Sequence, residues 1–236
     1  RSLSSVQSRG KHLLMHLDDQ HVIHTHMGMH GSWHVYRPTQ KWHKPPSQAG
    51  LILQFDQVVA VCFSPKLLEL LTTLELDRHR WLVRLGPDLL AKHSDLDEVL
   101  TRFRRQSHLP IGEAIMNQAI LSGVGNVYKS ELLFLAGLHP LVPVREIDDL
   151  ELKELVVSAR KFLQRNVNGG PRRTRFRGDR FRHWVYGRSG EHCLRCGESI
   201  QLTRQGDLGR TTYFCPSCQP QKRNLATDEG GRTQID

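Results

Sequence analysis

No apolar run in this chain approaches the roughly 20 residues that a helical membrane span requires, which argues against a helix-anchored membrane protein. The opening residues, "RSLSSVQSRGK", lack the apolar centre of a secretory signal, and the expected location is cytoplasmic. Aromatic residues are scarce, at 7%. That is too few for a protein that reads single-stranded RNA by stacking bases on rings, so an RNA-binding zinc protein is disfavoured. Five cysteines in 236 residues are too few for a disulfide scaffold. An initiator methionine is also missing: the chain opens on Arg1, which suggests a fragment or a processed form.

What is present is a sizeable apolar fraction, 38%, enough to bury a core. Thirty-three Lys and Arg against twenty-four Asp and Glu leave a formal charge of +9. Such a balance favours a polyanionic partner, although a basic enzyme with no such partner carries the same charge. Along the chain, "KHLLMHL", "HVIHTHMGMHGSWHVY", "GLILQF" and "VVAVCF" have strand-and-turn texture. From "SPKLLELL" onward the apolar period lengthens. "DLDEVLTRFRRQ", "PIGEAIMNQAIL", "VYKSELLFLAGLHP" and "DLELKELVVSARKFLQRNVNGG" read as helices, with a boundary between the two textures near residues 86–95. Cys62, in "AVCFSP", reads as a core thiol.

Four of the cysteines form two knuckles, Cys193-x2-Cys196 and Cys215-x2-Cys218, separated by residues 197–214. Two such pairs supply the four thiolates of a tetrahedral zinc, and a closed set of four leaves no open position, so this Zn2+ is structural. His192 precedes the first ligand but has no coordination position left to fill. The spacer reads as a β-hairpin from which Arg204 and Arg210 project.

Between two helical stretches, "ILSGVGNVYKSELL" places Gly123, Gly125 and Asn126 in one turn. An ordinary capped helical hairpin accounts for this. So does a turn that exposes the first N–H groups of the second helix to an anion such as a DNA phosphate. His24 and His26 alternate on one strand face as metal ligands do, but no carboxylate or third histidine is evidently placed beside them, and packing or DNA contact is the expected role.

Taken together and in order, "RGKHLLMHL", "HTHMGMHGSW", "RLGPDLL", "LSGVGNVYKSELLFLAGLHP", "VYGRSGEHCLRCG" and "RTTYFCPSC" resemble the bacterial formamidopyrimidine-DNA glycosylase and endonuclease VIII family. The resemblance implies an α+β fold. Its expected parts are the remainder of an N-terminal β-sandwich over 1–90, a helix-two-turn-helix domain over 91–183 with a basic loop 169–180, a β-hairpin zinc finger over 184–219, and a disordered tail over 220–236. It further implies a monomeric DNA repair enzyme, nucleoid-associated in a bacterium, that excises oxidised bases from double-stranded DNA and cuts the abasic strand by β,δ-elimination. Carried over by position, Lys11 matches the family's active-site lysine and Met29 the side chain inserted where the base leaves. Arg84 and Asn126 match the phosphate-binding positions, Gly125 beside Asn126 removes a side chain that would block a phosphate's close approach, and Arg210 matches the zinc-finger arginine of backbone binding and strand cleavage.

Two departures qualify that match. The family's nucleophile is an N-terminal proline followed by glutamate, whereas Arg1 stands first here, so the chain is expected to be a fragment of a parent that carries it. The alternative is a non-catalytic zinc-finger protein that binds damaged DNA. The arginine pair and wedge phenylalanine of the 8-oxoguanine branch are also replaced by "VCFSPKLLELL", which points to the endonuclease VIII branch and oxidised pyrimidines.

Overall fold

The computed structural model describes residues 1–167, 170–176 and 178–221. Parts of the loop 169–180 and nearly all of the tail 220–236 therefore lie outside the described residues. The chain is α+β and divides into two compact units, Arg1–Ser94 with Gln118–Gly123, and Asp95–Asn117 with Val124 onward.

The first unit holds seven strands, β1 (Leu3–Arg9), β2 (His12–Leu17), β3 (His21–His26), β4 (Ser32–Tyr36), β5 (Ala49–Gln54), β6 (Val59–Phe63) and β7 (Leu67–Thr72), and a short helix α1 (Thr73–Asp77). They make two antiparallel sheets, ordered β1-β2-β3-β7 and β4-β6-β5. Strand β3 is buried on both faces. On one face Leu14 and Val22 pack with Leu76 and Leu82. On the other, Thr25 accepts a 3.2 Å hydrogen bond from the indole of Trp33 on β4. Tyr36, Val59, Val61 and Phe63 form the apolar core of the second sheet, and Cys62 is fully buried beside them.

Two stretches depart from their expected helices. "LLELLT" is a strand, because its leucines and glutamate also satisfy a period of two: Leu67, Glu69 and Leu71 turn inward while Leu68 and Leu70 face out, in register with β3. The helix expected from Pro110 stops after one turn, α3 (Ile111–Ala114). Residues 118–123 instead run beside the segment around Gly86, which donates to Gln118 O at 2.8 Å, while Ser122 donates to Pro87 O at 3.0 Å. A Cβ at position 86 would lie 2.4 Å from Ile120 O, so the approach requires glycine.

In the second unit, α2 (Leu96–Arg105), α4 (Asn126–Leu135) and α5 (Asp149–Arg165) surround an apolar interior, followed by the hairpin β8 (Gln201–Gln205) and β9 (Arg210–Phe214). Asp95 caps α2, and Asp148 with Glu151 forms a capping box on α5. Glu131 of α4 is fully buried. Its carboxylate accepts the backbone N–H groups of Trp184, Val185 and Tyr186, each at 2.8 Å, and the hydroxyl of Thr174. Phe134, one turn further along, packs with Val185, Cys193, Ile200 and Cys215. Helix and metal knuckles thus share one core.

Replacing Glu131 by Ala leaves three buried N–H groups without an acceptor, at about 1–3 kcal/mol for each group left unpaired. Thermal unfolding followed by circular dichroism is expected to show a Tm lowered by at least ~5 °C.

Candidate nucleic-acid interface and metal centres

Cys193, Cys196, Cys215 and Cys218 bring their Sγ atoms within 4.8 Å of one another. The Cys196–Cys215 and Cys193–Cys218 separations are 3.4 and 3.9 Å. Zinc–sulfur bonds of about 2.3 Å in a tetrahedron place the sulfurs about 3.8 Å apart, so the four side chains fit Zn2+. Backbone N–H of Arg195 donates to Cys193 Sγ at 3.4 Å, as a thiolate requires. His192 directs Nδ1 to Gly197 O at 2.9 Å and is not a ligand. Arg204 also has a local role: its guanidinium donates to Gly209 O across the hairpin turn at 3.1 Å.

The start of α4 is built differently from those of α2 and α5. Gly125 is its N-cap, no side chain caps it, and its first turn carries no acid. Asn126 does not cap the helix; its Nδ2 donates to Thr211 Oγ1 of β9 at 3.3 Å, and its buried Oδ1 has no partner among the described residues. Lys129, one turn on, is 1% exposed. Burial, then repulsion from Arg210, pushes its ammonium down from 10.5 to about 8. Asn126, Lys129, Thr211 and exposed Arg210 therefore gather at a bare helix N-terminus, where N–H groups and dipole both favour an anion. Lys129 escaped the sequence reading; its spacing of three from Asn126 on a helix is the signal that places it on the same face.

The first unit carries the other three positions. Lys11 is exposed at the β1–β2 hairpin. Beside it, Gly10, with φ of 60°, donates its N–H to Asp88 at 2.7 Å, and a Cβ there would meet Ser122 at 3.0 Å. The hairpin tip is thereby pinned. Met29 is 84% exposed in the β3–β4 turn, which Gly31 closes by donating to Met27 O at 3.0 Å. Arg84 is exposed in the segment that follows α1.

The same unit overturns one expectation. A carboxylate and a third histidine do lie beside His24: Glu69 Oε2 is 3.2 Å from His24 Nδ1 and 3.0 Å from His79 Nε2. His12 Nδ1 is 2.8 Å from His24 Nε2. Burial, with help from the neighbouring histidines, holds His12 down to about 4, and burial lowers His24 and His26 as well.

The depressed Lys129 ammonium has a measurable consequence. Between about 8 and 10.5 the unfolded chain keeps a proton that the folded chain releases. Folding stability then rises with pH through that window. Relative to Lys129→Met, the wild-type chain is expected to gain stability from pH 8 to 10.5, read as a growing Tm difference in paired melts.

Residues 1–66 match the formamidopyrimidine-DNA glycosylase N-terminal domain, residues 85–177 the formamidopyrimidine-DNA glycosylase H2TH domain, and residues 190–221 the zinc finger found in FPG and IleRS. The chain is 39% identical over 239 residues to the probable endonuclease 8 2 of Streptomyces coelicolor, covering 100% of this chain and 84% of that relative. It is 33% identical over 223 residues to the DNA-(apurinic or apyrimidinic site) lyase Nei2 of Mycolicibacterium smegmatis, covering 92% and 82%. The structure of the Lactococcus lactis formamidopyrimidine-DNA glycosylase bound to DNA containing an abasic site superposes with a TM-score of 0.78 at 24% identity, over 93% of this chain and 82% of that one. On these matches, the chain belongs to the formamidopyrimidine-DNA glycosylase and endonuclease VIII family.

Proposed function

We propose that this protein is a DNA base-excision repair enzyme, a glycosylase and abasic-site lyase of the endonuclease VIII branch that removes oxidised pyrimidines from double-stranded DNA in the bacterial cytoplasm. The observation that carries the reading is the uncapped start of α4, with Asn126, Lys129 and Arg210 gathered around it. A DNA phosphate is the anion that suits it. The backbone N–H groups and the Asn126 amide donate to the phosphate oxygens, and Arg210 adds charge from the zinc-finger hairpin. Zinc acts only by fixing that hairpin.

An enzyme that works on a base must first take it out of the stack. Met29, exposed on a short closed turn, is the apolar side chain proposed to fill the gap, and Arg84 the residue that holds the backbone beside it. In the excision step an amine attacks the sugar C1′ while the C1′–base bond breaks and the base leaves with the proton that the amine gives up; the C1′–O4′ bond then opens, with O4′ taking a proton from solvent and the nitrogen lone pair forming the C=N bond. The resulting iminium acidifies C2′–H, so loss of that proton expels the 3′ phosphate. The family resemblance assigns the amine to an N-terminal proline. Lys11, on its pinned hairpin, is the cation proposed to stabilise the charge that develops near the sugar. The missing arginine pair and phenylalanine of the 8-oxoguanine branch support a preference for pyrimidines.

Gel-shift titrations with abasic and intact duplexes test the binding part. Asn126→Ala and Arg210→Ala are each expected to weaken binding about tenfold, the arginine variant alone also flattening its salt dependence, and Met29→Ala to erase the preference for the abasic duplex. For catalysis, borohydride is added to the full-length gene product on abasic or oxidised-pyrimidine duplex, and a covalent protein–DNA complex is expected. Tight binding with no trapped complex favours the non-catalytic alternative.

A further inference from the structure

The first sheet carries a polar cluster to which the proposed function gives no role. Along one face, Leu14 and Val22 meet Leu71, Leu76 and Leu82, as a buried sheet face should. Further along the same face the apolar pattern stops. His12 pairs in register with His26, and His24 with Glu69, so these side chains take inward positions where leucine or valine would pack. His24 is fully buried, the His79 side chain is 12% exposed and that of Glu69 33%. Burying a carboxylate among imidazoles costs free energy unless something compensates it.

We propose that His24 Nδ1, a Glu69 carboxylate oxygen and His79 Nε2 bind a divalent transition-metal ion, Zn2+ or a close chemical equivalent, separate from the four-cysteine zinc. The three ligand atoms lie within 4.8 Å of one another. Glu69 Oε2 is 3.2 Å from the first nitrogen and 3.0 Å from the second. Bonds of about 2.0–2.1 Å in a tetrahedron separate ligand atoms by about 3.3 Å, so the side chains are already spaced for an ion. Two histidines and one carboxylate leave a fourth position, and the partial exposure of Glu69 lets solvent fill it.

A second observation comes from the opposite side of the ring. When His24 binds metal through Nδ1, its Nε2 must carry a proton and needs an acceptor. His12 Nδ1 is there at 2.8 Å, the arrangement that orients a ligating imidazole. Because His24 lies on β3, Glu69 on β7 and His79 beyond α1, the ion joins three segments that are otherwise held by the β3–β7 ladder and the leucine cluster. The site serves as a staple of the first unit.

Zinc per purified chain, measured by mass spectrometry after dialysis against micromolar Zn2+, is expected to be about two equivalents. Glu69→Gln and His79→Gln are each expected to lower it to about one. His12→Ala is expected to weaken the second equivalent by 10–100-fold, as loss of an orienting partner does. Co2+ separates the sites: the first equivalent shows thiolate charge transfer, whereas the second shows only weak visible bands. Should a variant fail to fold, nitrogen-15 spectra of the wild-type imidazoles decide, with Zn2+ expected to shift Nδ1 of His24 and Nε2 of His79. A wild-type chain that stops at one equivalent, or His24 and His79 resonances that ignore added Zn2+, overturns the site. A second equivalent that survives in both Gln variants does the same.

Discussion

One buried carboxylate organises the second unit. Glu131 stands on α4 only five residues from Asn126, and its oxygens take the backbone N–H groups of Trp184, Val185 and Tyr186. Those residues lead directly into the cysteine knuckles. The same helix therefore presents its bare N-terminus outward and anchors the stem of the zinc hairpin. Thr211 reaches back to Asn126, and Tyr213 donates its N–H to Ser130 at 3.1 Å, so the hairpin touches α4 at both ends of its first turn. The groups proposed to bind phosphate come from residues far apart in sequence, and the hydrogen bonds to the buried Glu131 carboxylate hold them in one register.

What the sequence reveals and what it hides follow from distance along the chain. The zinc site is legible because each Cys-x2-Cys pair is a local turn and the spacer is of hairpin length. The Asn126 turn is legible only as two alternatives, since the sequence does not show whether a side chain caps α4; among the described residues none does. Glu131 and Lys129 look like ordinary polar positions of an amphipathic helix until segments some fifty to eighty residues later fold over them. The histidine cluster is hidden for a sharper reason. "LLELL" fits both helical and strand periods, and only the strand reading puts Glu69 opposite His24.

Polar groups recur in the interior of this protein, and most have a nearby partner. Gln205 donates to Pro140 O and accepts from Thr212, while Gln219 accepts from Cys215 N–H and donates to Leu138 O. These bonds tie the zinc hairpin to the loop after α4 without adding apolar bulk. Together with Glu131 they make the second unit depend on directional bonds as much as on its leucines. Directional bonds fix one arrangement where packing alone tolerates several.

The uncapped start of α4 has a thermodynamic side. Serine, threonine or aspartate in place of glycine at an N-cap ordinarily adds on the order of a few tenths of a kcal/mol to a helix, and α4 forgoes it at Gly125 where α2 and α5 do not. An occupant that binds only the folded chain supplies the missing stabilisation by mass action. Resistance to heat and grip on the DNA backbone are then two readings of a single equilibrium. On the proposed reading the free protein is less stable than the DNA-bound one, and sulfate or phosphate in the buffer stands in for part of what DNA does.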